Sequence, residues 1–249
     1  MDPIIKIENL RKVYRVGAER VIALDNINLE IERGEICCIL GTSGSGKSTL
    51  LNMLAGLERP TRGTVTILGT NISRASEKQL AKFRREKVGF IFQSYNLLGS
   101  LTALENVALP LTFRKVSKRK REAEARKMLK SVGLAKHIRH RPSQMSGGQQ
   151  QRVGIARAYV TNPPVVFADE PTGNLDSKTT TEVMEMITAV AREKHQTLII
   201  VTHDREIANY VDRILFLIDG RIESDTRVEH TPHPAPEEPA GPSTEASPA

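Results

Sequence analysis

Three things are scarce in this chain. It has two cysteines among 249 residues, Cys37 and Cys38, adjacent within the run ICCIL. Neighbouring strand side chains point to opposite faces and do not readily bridge, so a disulfide framework is excluded and both thiols read as small buried hydrophobes. Long apolar runs are also missing. ICCIL, TLIIV and ILFLI fall far short of the ~20 residues that cross a bilayer, so they read as buried strands. The start, MDPIIKIENL, carries an early acid and lacks the basic-then-apolar order of a secretory leader, which leads us to expect a cytoplasmic protein. Internal repeats are absent as well. The formal net charge of +7 permits an anionic membrane or nucleic acid as a partner without choosing between them.

What is present alternates. IIKIENL, INLEI, EICCILG, TVTILG, VGFIF, VVFAD, TLIIVTH and RILFLIDG are β-rich and bounded by glycine or polar turns, and helical patterns separate several of them. This order predicts an α/β fold with a mostly parallel, doubly wound sheet and a ligand crevice beyond the carboxyl ends of its strands. Between Gln93 and Tyr159 no strand-like run occurs, so an inserted helical lobe is expected at about 94–159. Thr102 with Glu105, and Ser146 with Gln149, fit capping boxes. The basic run from Arg114 to Lys130 reads as a solvated helix face, with Ala123, Met128, Leu129 and Val132 available for its apolar side. Six prolines from Pro232 to Pro248, mixed with Glu, Ser and Ala, predict a disordered tail over 229–249 behind a folded unit of 1–228.

GTSGSGKS, from Gly41 through Thr42, Ser43, Gly44, Ser45, Gly46 and Lys47 to Ser48, matches the phosphate-loop pattern G-x-x-x-x-G-K-[ST]. A strand precedes it and the helix start TLLNML, from Thr49, comes after it. Glycines let successive backbone N–H groups wrap a polyphosphate at a helix N-terminus, Lys47 reaches the β- and γ-phosphates, and Ser48 is a ligand for Mg²⁺. VVFADE supplies a carboxylate for the metal, Asp169, at a strand end, and next to it Glu170 to polarise the attacking water. His203 ends TLIIVTH and is expected to project into the same crevice.

In order and spacing these motifs resemble the ATP-binding subunits of ABC transporters, over residues 4 to about 224. The resemblance implies a P-loop NTPase core with an antiparallel β subdomain and an inserted α-helical subdomain. It identifies Gln93 with the family's glutamine loop at Mg²⁺, Tyr14 with the aromatic that stacks on adenine, and Asn174-Leu175-Asp176 with the loop that crosses between subunits. MSGGQ, with Ser146, Gly147, Gly148 and Gln149, resembles the family signature LSGGQ. The family binds two ATP molecules between head-to-tail subunits, which gives a chain with one phosphate loop a use for a second glycine-rich helix start. FRREKVGFIFQSYNLLGSLTALENVALPL and GGQQQRVGIARA look most like the lipoprotein-release and macrolide-export subgroup. The resemblance thus implies an ATPase, homodimeric with ATP, that powers a separate transmembrane permease from the inner face of the membrane, with the apolar segment Tyr95–Leu111 as the groove for the partner's helix. A soluble ABC-type ATPase acting on nucleic acid or the ribosome is the alternative. The chain has neither a long coiled-coil insertion nor a second cassette, so no specific nucleic acid is expected as a partner.

Overall fold

The computed structural model describes residues 2–228, so the expected Pro-rich tail lies outside the described residues. Two sheets organise the chain. The first is antiparallel, in the order β2 (Glu19–Ile31), β1 (Ile5–Val16), β4 (Arg62–Ile67), β5 (Thr70–Asn71). In the second, β10 (Arg221–Arg227), β9 (Arg213–Ile218), β3 (Ile36–Leu40), β8 (Thr197–Thr202), β7 (Val165–Asp169) and β6 (Val88–Phe92) lie side by side in that order. Its strands from β9 to β6 run parallel, and only β10 is antiparallel. Among the described residues no helix is long and apolar enough to cross a membrane.

The central strands are buried on both faces, which is why they are continuous apolar runs and not alternating ones. Along β3, Ile36, Cys38 and Leu40 enter one hydrophobic cluster while Cys37 and Ile39 enter the other. The two cysteines therefore back onto opposite faces as free, buried thiols. Burial pushes the Cys38 thiol up to about 12, so it is chemically quiet.

Helix α1 (Lys47–Leu54) comes directly after the β3 loop, α2 (Glu77–Lys87) precedes β6, and α6 (Ser177–Glu193) links β7 to β8. Between β6 and β7 the chain holds α3 (Ala103–Phe113), α4 (Lys118–Ser131) and α5 (Gly147–Tyr159), and among the described residues no strand. Both expected capping boxes form, at Thr102/Glu105 and Ser146/Gln149. The buried side of α4 is Ala125 and Leu129, with Met128 and Val132 against the same core; Ala123 is exposed, because it lies two residues out of phase with Ala125 on a 3.6-residue helix.

Two expectations about strands change. β1 and β2 extend well past IIKIENL and INLEI into a hairpin whose register slips at three points, and the short β5 and polar β10 are additional. These arms are half exposed and alternate weakly, so their pairing comes from neighbours and not from their own apolar pattern.

Candidate functional site

The register of the parallel sheet assembles the site. Phe92 pairs with Asp169, Asp169 with Val201, and Leu40 with Thr202. Each strand thus ends at the same level, and the residue just beyond each end, Gln93, Glu170, His203 or Gly41, emerges at one edge. A cavity of about 810 Å³ opens there. Gly41, Thr42, Ser43, Gly44, Gly46, Lys47, Ser48 and Thr49 line it together with Gln93, Asp169, Glu170 and His203. Ser45 is buried behind the loop.

Local geometry explains the glycines. Gly46, at φ +103°, sits in the left-handed region, and a Cβ there would lie 2.5 Å from the Ala23 carbonyl oxygen. A Cβ on Gly41 would strike the Leu217 carbonyl oxygen. The loop folds over Lys47, which is only 7% exposed and donates from Nζ to the carbonyl oxygens of Gly41 and Thr42, both at 2.8 Å. An ammonium has three donors, so one remains to turn outward.

Across the cavity, Asp169 Oδ1 is buried without a hydrogen-bond partner. Burial first, and the adjacent Glu170 second, hold the Asp169 carboxyl above its ordinary value, with Lys47 opposing. Glu170 takes φ +45°, rare for a residue with a side chain. Its N–H is fixed by the Val201 carbonyl oxygen at 2.8 Å, and its two carboxylate oxygens accept from the Thr202 hydroxyl and from His203 Nδ1, both at 2.9 Å. Since a carboxylate only accepts, Nδ1 carries the proton in that contact. The His203 side chain is 66% exposed, leaving Nε2 open to the crevice.

Gln93 reaches the cavity because Gly173 makes room: a Cβ there would lie 2.6 Å from Gln93 Nε2. Asn174 Nδ2 donates to the Gln93 carbonyl oxygen at 3.0 Å.

Other expected site residues lie outside this cavity's lining. Ser146, Gly147, Gly148 and Gln149 form the start of α5. Ser146 Oγ accepts from the Gln149 N–H, and Gln149 Oε1 accepts from the Ser146 N–H. Asp176 caps α6 through the Thr179 N–H and hydroxyl, and Thr179 packs on Gly148, where a Cβ would meet Thr179 Cγ2 at 2.7 Å. The MSGGQ helix start and the Asn174–Asp176 loop are therefore neighbours. Tyr14 pairs across the hairpin with Val21, which does line the cavity, and its hydroxyl donates to Glu58 at 2.6 Å.

Residue patterns alone miss Val21, Ile22 and Ala23 on the cavity wall, as well as Arg205 and Phe216. Val21 and Ile22 are each 46% exposed, an apolar patch that only the folded hairpin brings beside the loop.

A second cavity, about 530 Å³, is lined by α2, β6, α3 and the end of α5, with Val88, Phe90, Phe92, Leu109, Pro110 and Phe113 as its apolar residues and Arg84, Arg85 and Arg157 as its basic ones. It overlaps the groove expected over Tyr95–Leu111 at Leu109 and Pro110. Ala103, Leu104, Val107, Ala108 and Leu111 pack into the core, and only the outer side of α3 faces the cavity.

Comparisons with known proteins agree with this geometry. The family model described as ABC transporter matches residues 24–173. The lipoprotein-releasing system ATP-binding protein LolD of Geobacter metallireducens is 45% identical over 225 residues, covering 90% of this chain and 100% of that one. The macrolide export ATP-binding/permease protein MacB of Vibrio parahaemolyticus is 47% identical over 228 residues, 90% of this chain but 34% of its own longer one. Among solved structures, the ATP-binding cassette MJ0796, a dimer in a post-hydrolysis state bound to ADP and Pi, superposes with a TM-score of 0.85 at 43% identity, covering 91% of this chain and 99% of its own.

Proposed function

The chain belongs to the ABC transporter family as an ATP-binding, ATP-hydrolysing subunit, and from that premise we propose how its residues divide the work between two copies. Each copy holds ATP on its own phosphate loop and presents its Ser146 helix to the nucleotide of the other. The observation that carries this reading is a separation in space: Lys47, Asp169, Glu170, His203 and Gln93 surround one cavity, while Ser146 to Gln149 sit outside it. A helix start with a free hydroxyl proton and two bare glycines is an anion site waiting for a phosphate from elsewhere.

In the cavity, the loop amides and Lys47 bind the phosphates, and the exposed Val21 and Ile22, with Tyr14 beside them at the cavity's edge, take the base. Ser48, Asp169 and Gln93 would hold Mg²⁺. The unpartnered, buried Asp169 Oδ1 fits a cation-facing oxygen, and one carboxylate plus one hydroxyl plus phosphate oxygens is the donor set this ion prefers. When bound, the ion neutralises charge on the β- and γ-phosphates. Glu170 takes a proton from the attacking water as the oxygen bonds to the γ-phosphorus and the bond to the ADP oxygen breaks. His203 donates from Nδ1 to orient that carboxylate, and with both ring nitrogens protonated its Nε2–H also donates to the γ-phosphate. Release of phosphate removes the contact that the Ser146 helix favoured, and the copies separate.

Residues 1–228 form the nucleotide-binding unit, with 94–159 as the helical lobe, seated on the inner face of the membrane against a transmembrane partner. The Arg-lined apolar cavity between α2, β6 and α3 receives that partner's cytoplasmic helix.

Ser146→Arg tests the division of labour. ATP affinity measured on the isolated chain should stay within about twofold of wild type, while turnover falls at least tenfold, because the added side chain obstructs the other copy's nucleotide. Unchanged turnover would contradict the shared site.

A further inference from the structure

On the basis of the proposed nucleotide site, we propose that Lys12 and Glu58 are positioning residues that make Tyr14 a one-sided platform for the nucleobase. Lys12 and Tyr14 are two apart on β1 and so lie on the same face of the strand. The Lys12 ammonium sits 4.9 Å from the centre of the Tyr14 ring, over its face. It is held there by Glu58 Oε2 at 3.2 Å and by the Arg59 carbonyl oxygen at 2.9 Å, with only 16% of the side chain exposed. A cation already covers one face of the ring, which leaves the other for a flat partner.

Glu58 fixes the ring from its edge. Its Oε2 accepts the Tyr14 hydroxyl at 2.6 Å, the length of a charge-assisted bond. Burial first, then this bond, push the Tyr14 phenol above its ordinary value, so it remains the donor at working pH. The position of Glu58 is itself set by α1: after the helix the chain turns at Gly56, φ +62°, and the Leu57 and Glu58 N–H groups return to the Asn52 carbonyl oxygen at 2.9 and 3.3 Å. Helix α1 begins at Lys47 in the phosphate cradle and spans roughly 12 Å. One rigid element therefore spaces the phosphate end of the ligand from the residue that clamps its base end. Thr49, on the first turn of that helix, lines the cavity.

Calorimetry with two probes, ATP and inorganic tripolyphosphate, separates this role from general damage. Lys12→Met and Glu58→Gln are each expected to weaken ATP binding about two- to fivefold and to leave tripolyphosphate unchanged. In a Tyr14→Leu background neither substitution should cost ATP affinity further, because the platform they position is gone. The inference is overturned if ATP affinity is unchanged, if ATP and tripolyphosphate affinities fall together, or if the losses add in the Tyr14→Leu background. Wild-type protein that binds neither probe would overturn the nucleotide-site reading and this inference with it.

Discussion

Glu170→Gln should bind ATP at least as tightly as wild type, hydrolyse it at least about a hundredfold more slowly, and accumulate as an ATP-bound pair in gel filtration. A positioned general base contributes typically 10²–10⁴-fold, and an amide cannot take the proton. The substitution keeps the side chain's size and one acceptor oxygen, so the contacts to the Thr202 hydroxyl and His203 Nδ1 are only partly disturbed. It also removes a negative charge next to Asp169, whose carboxyl Glu170 pushes up, and so lessens repulsion toward a polyphosphate. Binding survives while the step that opens the pair is blocked. Hydrolysis at the wild-type rate, or a monomer at saturating ATP, would contradict this assignment.

The second large effect is expected at Lys47. Lys47→Ala should weaken ATP binding by about a hundredfold or more, read by calorimetry. The ammonium is nearly buried, so its field on a phosphate is poorly screened by water. Charge-assisted hydrogen bonds of this kind are worth about 1.5–3 kcal/mol each. Alanine also leaves the Gly41 and Thr42 carbonyl oxygens without their donor, so the loop loses the contact that shapes it. The fold itself should hold, because the two hydrophobic clusters do not depend on this side chain. Affinity within twofold of wild type would remove Lys47 from the site.

The parts of the molecule legible in the sequence are those where local chemistry leaves one solution. GTSGSGKS could be read because positive φ and close backbone approach demand glycine at Gly46 and Gly41 whatever the surroundings. β3, β7 and β8 could be read because they are buried on both faces and hence uniformly apolar. From that, their carboxyl ends pointed to Asp169, Glu170 and His203. RIESDTR could not be read as a strand: it is an exposed edge whose pairing with β9 starts from the Asp219-Gly220 turn, both residues at positive φ. The hairpin arms of β1 and β2 were equally opaque, and with them Val21 and Ile22, since an exposed valine on a strand gives no sign of the loop that folds beside it. The apolar segment Tyr95–Leu111 shows the same limit: Leu104, Val107, Ala108 and Leu111 pack inward while Leu98 is exposed and Leu109 and Pro110 line the second cavity, a division that apolar richness alone does not disclose. Nor does sequence spacing disclose that Glu58, 44 positions from Tyr14, holds its hydroxyl.

Every step of the proposed cycle depends on each nucleotide needing two chains. ATP hydrolysis per chain, measured across a hundredfold dilution at saturating Mg·ATP, tests this most directly. Turnover per chain should fall steadily with dilution and recover on reconcentration, as expected when only the associated pair is active. A rate per chain that stays constant over the whole range would mean that one copy completes the reaction alone, and the shared site would be wrong.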